Sequence, residues 1–286
     1  MKINKVKFLV CAVLLLAGLG ITGCTEKQSV SSQLMETKVL EESALLIDDE
    51  ASPKCELKFN YSYLAERDAN DTIVKRINRS AQLISFGREY AMLQPEVALD
   101  SFKNTYIRNY RRDVTPYYKE ELNRNENLEE IPAWYNYSYE LTTTFADGYK
   151  DVLLFTALNY VYQGGAHPNQ WENWRNFDSK TGRMIKLADV FKADSQKEVL
   201  ELIQNELVKY LAERTENQNL KSFKDLIDEG IILEPRIFIP ANFLLEADHI
   251  TFLYNRYDIA PYAVGDIKIA IPYSAIKKYM QLENIQ

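Results

Sequence analysis

Histidine and cysteine are nearly absent from this chain, two and three in 286 residues. With only His167 and His249, a three-histidine zinc site is excluded, and neither a His-Glu-x-x-His pair nor a cysteine cluster occurs. The Gly-x-Gly-x-x-Gly, P-loop and Gly-x-Ser-x-Gly patterns are also missing, so nothing in the sequence points to a dinucleotide, a nucleoside triphosphate or a serine nucleophile. An excess of positive charge is lacking too. The formal charge is −7, which argues against nucleic acid and against flat docking on anionic lipid. Long apolar runs are lacking except for one, Phe8 to Leu19, which is too short for a comfortable membrane span.

That run has its own context. Lys2, Lys5 and Lys7 precede it, and Ile21-Thr22-Gly23-Cys24 follows. The order reads as an export signal over residues 1–23. Its ending resembles a bacterial lipobox, which implies lipidation of Cys24 and an extracytoplasmic, membrane-tethered chain. With Cys11 in the signal and Cys24 lipidated, Cys55 is the one free thiol, and no intramolecular disulfide forms. Cys55 lies in an alternating pattern and reads as a small buried hydrophobe.

Residues 24–53 are polar and acidic, a spacer whose second half contributes an edge strand. Alternation over 55–63 marks a strand. Helical spacing runs from Asp68 to Met92, with Pro95 as its stop. A second helix carries the stripe Ala98, Phe102, Tyr106, Tyr110 and Val114, and Pro116 kinks or ends it. Asn123 to Pro132 is an acidic loop. A strand over Trp134 to Phe145 turns at Asp147-Gly148 into Tyr149 to Tyr162, apolar on both faces as a doubly covered strand should be. Glycine is scarce, so its clustering with Pro168 over 164–168 marks a deliberate loop. Another strand, Gln170 to Phe177, follows. Ser195 with Glu198 has capping-box spacing for a helix along Val199, Ile203, Leu207 and Leu211. A short helix then ends at Gly230, and strands are expected at Arg236 to Ile239, Asn242 to Glu246, Ile250 to Tyr254 and Ile267 to Ile271. A last helix follows Pro272, capped by Ser274. This is an α+β chain: antiparallel sheets with helices packed on them, in two subdomains of order β-α-α-β-β (54–165) and β-α-α-β-β-β-α (166–286).

Several segments carry a resemblance: Tyr160 to Asn169 with its Gly-Gly-Ala-His-Pro core, Asn176-Phe177-Asp178, Thr181 to Leu187, Asp189 to Phe191, Phe238-Ile239-Pro240, Ile250 to Tyr254, Tyr257 to Ala263 and Ile271 to Ser274. In this order they resemble the bacterial exported proteins and lipoproteins that carry the domain of unknown function 3298, whose N-terminal companion is the domain of unknown function 4163, together spanning about residues 50 to 280. The resemblance implies a sensor or binding module. Its relatives include the outer part of a lysozyme-binding, membrane-anchored anti-sigma factor, and the module also accompanies a polysaccharide deacetylase.

Candidate binding residues are His167 with Gly164 and Gly165 in the glycine-rich loop, Trp171 and Trp174, and Tyr257 and Tyr262. The loop reads as a tight domain-junction turn in which His167 bonds backbone, with ligand binding and catalysis as the alternatives. Trp171 and Trp174 are three apart and so face opposite sides of a strand. The Tyr257–Tyr262 loop packs over the sheet and shapes the edge of a site. His249 reads as a surface residue of a hairpin turn, and a mixed site joining His167 to Asp178 stays open. No catalytic residue, metal or cofactor is assigned. The expected function is a tethered, non-catalytic cell-envelope module for an extracytoplasmic protein or glycan, located at the outer membrane if the source has two membranes. The alternative is an envelope hydrolase acting on cell-wall or dietary glycan, for which sequence singles out no carboxylate pair.

Overall fold

The computed structural model describes residues 34–124 and 131–281. The expected signal, Cys24, the start of the spacer and most of the acidic loop lie outside the described residues. None of the helices among the described residues is long and apolar enough to cross a membrane.

The expected α+β class and element order hold. A six-stranded sheet has the order β1-β2-β3-β4-β5-β6: Met35–Leu45, Lys54–Leu64, Tyr137–Asp147, Val152–Tyr162, Asn169–Asp178 and Met184–Ile185. Its β2–β3 pair is parallel and the others antiparallel. The edge strand expected near the spacer is β1. A parallel pair needs a crossover, here α1 (Thr72–Ser85) and α2 (Pro95–Arg124). Both helices lie on one sheet face, onto which β2 turns Cys55, Leu57, Phe59 and Tyr61. The other face stays open over Lys58, Asn60, Thr144 and Leu158. A second sheet, β7-β8-β9 (Phe243–Leu245, His249–Tyr254, Ile267–Pro272), is antiparallel. It shares an aliphatic core with α3 (Leu187–Val190), α4 (Gln196–Arg214) and α5 (Phe223–Asp228), and α6 (Tyr273–Ile276) follows β9.

Several local expectations are corrected. The first helix ends at Ser85 and not at Met92: Gly87 takes φ +100° and its N–H bonds back to the Gln82 and Leu83 carbonyls, a left-handed stop. The second helix runs through Pro116 to Arg124, because Tyr118 beyond the proline is buried against Tyr135. Residues 133–135 form a 3-10 turn, so the strand starts at Tyr137. β4 is covered on both faces only in its first half. Val152 and Leu154 enter the C-terminal core and Leu153 and Phe155 the N-terminal one, whereas Leu158 is 38% exposed. Ser195 does not cap α4 with its side chain; its hydroxyl donates to the carbonyls of Lys192 and Tyr279. Residues 236–239 pair with no strand: held between Pro235 and Pro240, they form an unpaired strap with Ile237 buried and Phe238 half exposed. The residue flanking the last helix is Pro272, with Ser274 inside it.

Candidate functional site

The two sheets meet along β5. Its pairing with β6 covers only Asn176 and Phe177, which leaves an edge to be satisfied. Asparagine side chains from the second sheet do this. The Asn255 amide accepts from the Glu172 N–H at 2.8 Å and donates to the Glu172 carbonyl at 3.0 Å. Asn242 accepts from the Trp174 N–H at 2.9 Å and donates to the same Glu172 carbonyl at 2.8 Å. From the other side, Asn176 of β5 donates to the Phe243 carbonyl at 2.9 Å and accepts from the Leu245 N–H at 2.8 Å. An amide carries a donor and an acceptor at peptide-like spacing, so these side chains stand in for a missing strand. The six-stranded sheet therefore continues past residue 165, and β5 serves both halves.

At the N-terminal end of this seam the β4–β5 loop meets the β8–β9 loop. Gly164 and Gly165 have φ of +82° and +104°, and a Cβ on Gly164 would stand 2.9 Å from the Trp134 carbonyl oxygen, so glycine is required there on both counts. The turn presents His167 to solvent, with its Nδ1 3.0 Å from the Pro168 carbonyl. Its ring stacks on Tyr262, centroids 4.3 Å apart and planes 25° apart. Tyr262 donates its hydroxyl to the same Pro168 carbonyl at 3.3 Å, and Tyr257 follows with its ring 5.7 Å from that of Tyr262. Three rings thus form one shelf. The Arg256 guanidinium lies 4.9 Å from the Tyr262 ring centre and donates to its hydroxyl at 3.3 Å.

Tyr257, at the outer end, is 59% exposed and has φ +68°. A bulky residue pays steric strain in that region. The conformation is enforced by its neighbours: the Asp258 carboxylate accepts from the Asn255 N–H at 2.8 Å, and the Asp258 N–H bonds the Asn255 carbonyl at 3.0 Å. Burial pushes the Asp258 carboxyl above its ordinary value, and the charge of Asp266 adds to the rise. Asp266 fixes the base of the shelf by accepting from the Arg256 N–H at 3.1 Å and from Gln170 at 3.3 Å. The buried Nε of Arg256 stands 3.9 Å from Asp266 and has no hydrogen-bond partner among the described residues.

The fold thus brings together His167, Tyr257 and Tyr262, with Gly164 and Gly165 shaping the turn. It does not add the tryptophans to the ring series. Trp174 is buried in the seam, its indole donating to Glu172 at 2.8 Å beneath the Lys268 ammonium. Trp171 is half-buried on the opposite face of β5. A joint His167–Asp178 site is ruled out by geometry. They lie at opposite ends of ten-residue β5, a span of about 30 Å, and Asp178 is buried, accepting from the Lys180 and Thr181 N–H groups of the next turn. His249 begins β8 half-buried, with Nε2 2.8 Å from Glu246. Cys55 is fully buried, and burial pushes its thiol up to about 12. No group of three His, Cys, Asp or Glu suited to a metal ion occurs among the described residues. Sequence reasoning missed Arg256, Asp266 and the three seam asparagines. The spacing of Asn255 and Asp258 around a tyrosine, an Asx-turn signal, was the available clue.

Residues 188–274 match the family described as "Protein of unknown function (DUF3298)", a range that includes Tyr257 and Tyr262 but not His167. A peptidoglycan-N-acetylmuramic acid deacetylase of Bacillus subtilis is 23% identical over 188 residues, 66% of this chain and 36% of that protein, so the chain matches about a third of that relative's length. The crystal structure of a DUF3298 family member from Bacteroides fragilis superposes with a TM-score of 0.75 at 28% identity, covering 88% of this chain and 96% of that one. A DUF3298 family protein from Pseudomonas aeruginosa shares the fold at a TM-score of 0.55 and 15% identity, covering 86% and 94%. Residues 188–274 are thus a DUF3298 domain, set within a fold that those two structures share.

Proposed function

We propose that the chain is a non-catalytic binding module of the cell envelope, tethered through lipid on Cys24, that recognises an extracytoplasmic glycan with the shelf of Tyr257, Tyr262 and His167. The observation that carries this reading is the exposed, strained Tyr257, whose ring lies tilted beside Tyr262, itself stacked with His167. Holding an aromatic ring out in a costly backbone conformation makes sense where the ring has a partner to meet. Sugar rings offer apolar C–H faces to such a ring and hydroxyls to its polar rim, and an aromatic side chain with an apolar body and a polar tip matches both. The relative whose name places it on peptidoglycan supports a glycan over a protein partner.

Co-sedimentation of the full chain with insoluble peptidoglycan tests the reading. The wild type is expected to pellet, and Tyr257→Ala to lose at least about tenfold in affinity, the effect expected of an interface anchor. A wild type that stays in the supernatant, or a variant that pellets equally, overturns it. The tether is tested separately: incorporation of a palmitate analogue should vanish in Cys24→Ser.

A further inference from the structure

A second site lies in the C-terminal half and shares no lining residue with the shelf. Between the first turns of α4 and the unpaired 236–240 strap runs a groove of about 690 Å³, within the range of small-molecule sites. Its apolar lining comes from Leu187 and Phe191, from Leu200 of α4, and from Phe238 and Ile239 of the strap. Phe238 is 50% exposed in the groove although its ring edge packs on Tyr254, 5.5 Å away. The strap is stiffened by its flanking prolines and anchored where Tyr254 donates its hydroxyl to the Phe238 carbonyl, so the groove is built in and does not depend on a rearrangement.

The polar rim has one sign where it meets the apolar walls. Lys192 and Lys197 both line the groove, in a chain whose formal charge is −7. Lys192 Nζ spends one hydrogen bond on the neutral Lys278 carbonyl at 2.8 Å, which leaves its charge uncompensated in that contact, and Lys197 is paired only loosely with Glu201 at 3.9 Å. The α4 N-terminus lies between them and takes no side-chain cap, because Ser195 donates its hydroxyl elsewhere. Its positive end adds to the field of the two lysines, against which the Glu198 carboxylate of the same first turn acts.

An apolar trough whose charged lining residues are both lysines complements one chemistry. We propose that this groove binds a free single-chain anionic amphiphile, a fatty carboxylate or its like, with the alkyl tail along Leu200 and Phe238 and the head group between Lys192 and Lys197. This is independent of the glycan reading.

Titration calorimetry of the full chain with a series of free fatty carboxylates tests it, with dodecanol as the uncharged control. One equivalent of laurate is expected to bind, with affinity rising about fourfold per added methylene until the groove is full and then levelling off. Reversing the rim (Lys192→Glu with Lys197→Glu) should cost laurate at least about tenfold and leave dodecanol unchanged. Phe238→Glu should abolish both, and Leu200→Trp, which fills the groove, should do the same should Phe238→Glu not fold. The inference is overturned if laurate does not bind saturably, if the rim and groove variants bind it as the wild type does, or if reversal weakens laurate and dodecanol alike. It is also overturned if only phosphatidylglycerol vesicles, and not free laurate, are bound.

Discussion

The two halves of the molecule solve the problem of a core differently. The N-terminal core is aromatic, with Tyr61, Tyr90, Tyr110, Tyr118, Tyr135 and Tyr139 buried among phenylalanines beneath one sheet face. The C-terminal core is aliphatic: valine, leucine and isoleucine dominate, and Tyr254 is its one fully packed tyrosine among the described residues. Most buried hydroxyls take a partner. Tyr110 donates to the Tyr135 carbonyl and Tyr139 to Asn159, so polar specificity in the N-terminal half is written inside the core. The C-terminal half carries it instead in the seam between the sheets, where Asn176 is buried and Asn242 and Asn255 are half-buried, and in the shelf at the surface. Where polar chemistry is kept out of the core, it is available for recognition at the surface, and both proposed sites draw on that half.

This contrast can be broken at the seam first. Asn176→Ala leaves the Phe243 carbonyl and the Leu245 N–H without their side-chain partner in a fully buried place. The expected loss is about 3 kcal/mol in chemical denaturation, larger than any substitution on the shelf. A transition in which the two halves separate would sharpen the comparison further.

The next effect is acid-dependent and confined to the N-terminal half. Asp71 is buried at the start of α1, accepting from the Val74 N–H at 3.2 Å and from Arg67 Nε at 2.6 Å. The Arg67 hydrogen bond holds its carboxyl well below the usual carboxylate range, against the cost of burial. Its folded-state value is lowered, so its contribution is fully present above the unfolded value, about 4, and is lost as pH falls towards the folded one. Asp71→Ala is expected to cost about 1 kcal/mol at neutral pH through the lost helix cap, and to flatten the acid limb of a stability–pH curve. An unchanged acid limb would contradict the assignment.

The smallest effects differ in sign. The Tyr61 hydroxyl is buried with no partner among the described residues, so Tyr61→Phe should stabilise by up to about 1 kcal/mol, whereas Tyr110→Phe, which gives up a made bond, should destabilise by about the same amount. Equal and like-signed shifts in thermal unfolding would mean that the hydroxyls of this core are not individually accounted for.

How legible all this was in the sequence differs between the halves for the same physical reason. The strand alternation of Cys55 to Tyr61 and the stripe from Ala98 to Val114 were readable because one face of each element is buried and the other is not. The strap at 236–239 misled because Ile237 is buried as a strand residue would be, and burial alone does not supply a pairing partner. Tyr257, Tyr262 and His167 could be named, since turns of glycine, proline and aromatics stand out in a chain poor in glycine. Their stacking could not, because it joins two loops some 95 residues apart (Tyr262 bonds the Pro168 carbonyl across 94 positions). The tryptophans drew attention by type, yet residue type does not say which face of β5 lies in the seam. The asparagines were invisible as connectors, since their role depends on an edge that only the assembled sheets create.

The proposed role of the shelf is glycan recognition. It is tested most directly by following the ring resonances of His167, Tyr257 and Tyr262 by proton NMR while soluble peptidoglycan fragments are titrated into the full chain. Saturable shifts concentrated on these three rings are expected, lost in Tyr257→Ala with the remaining spectrum unchanged. Rings that do not respond, or saturable shifts that map to another surface, would contradict it.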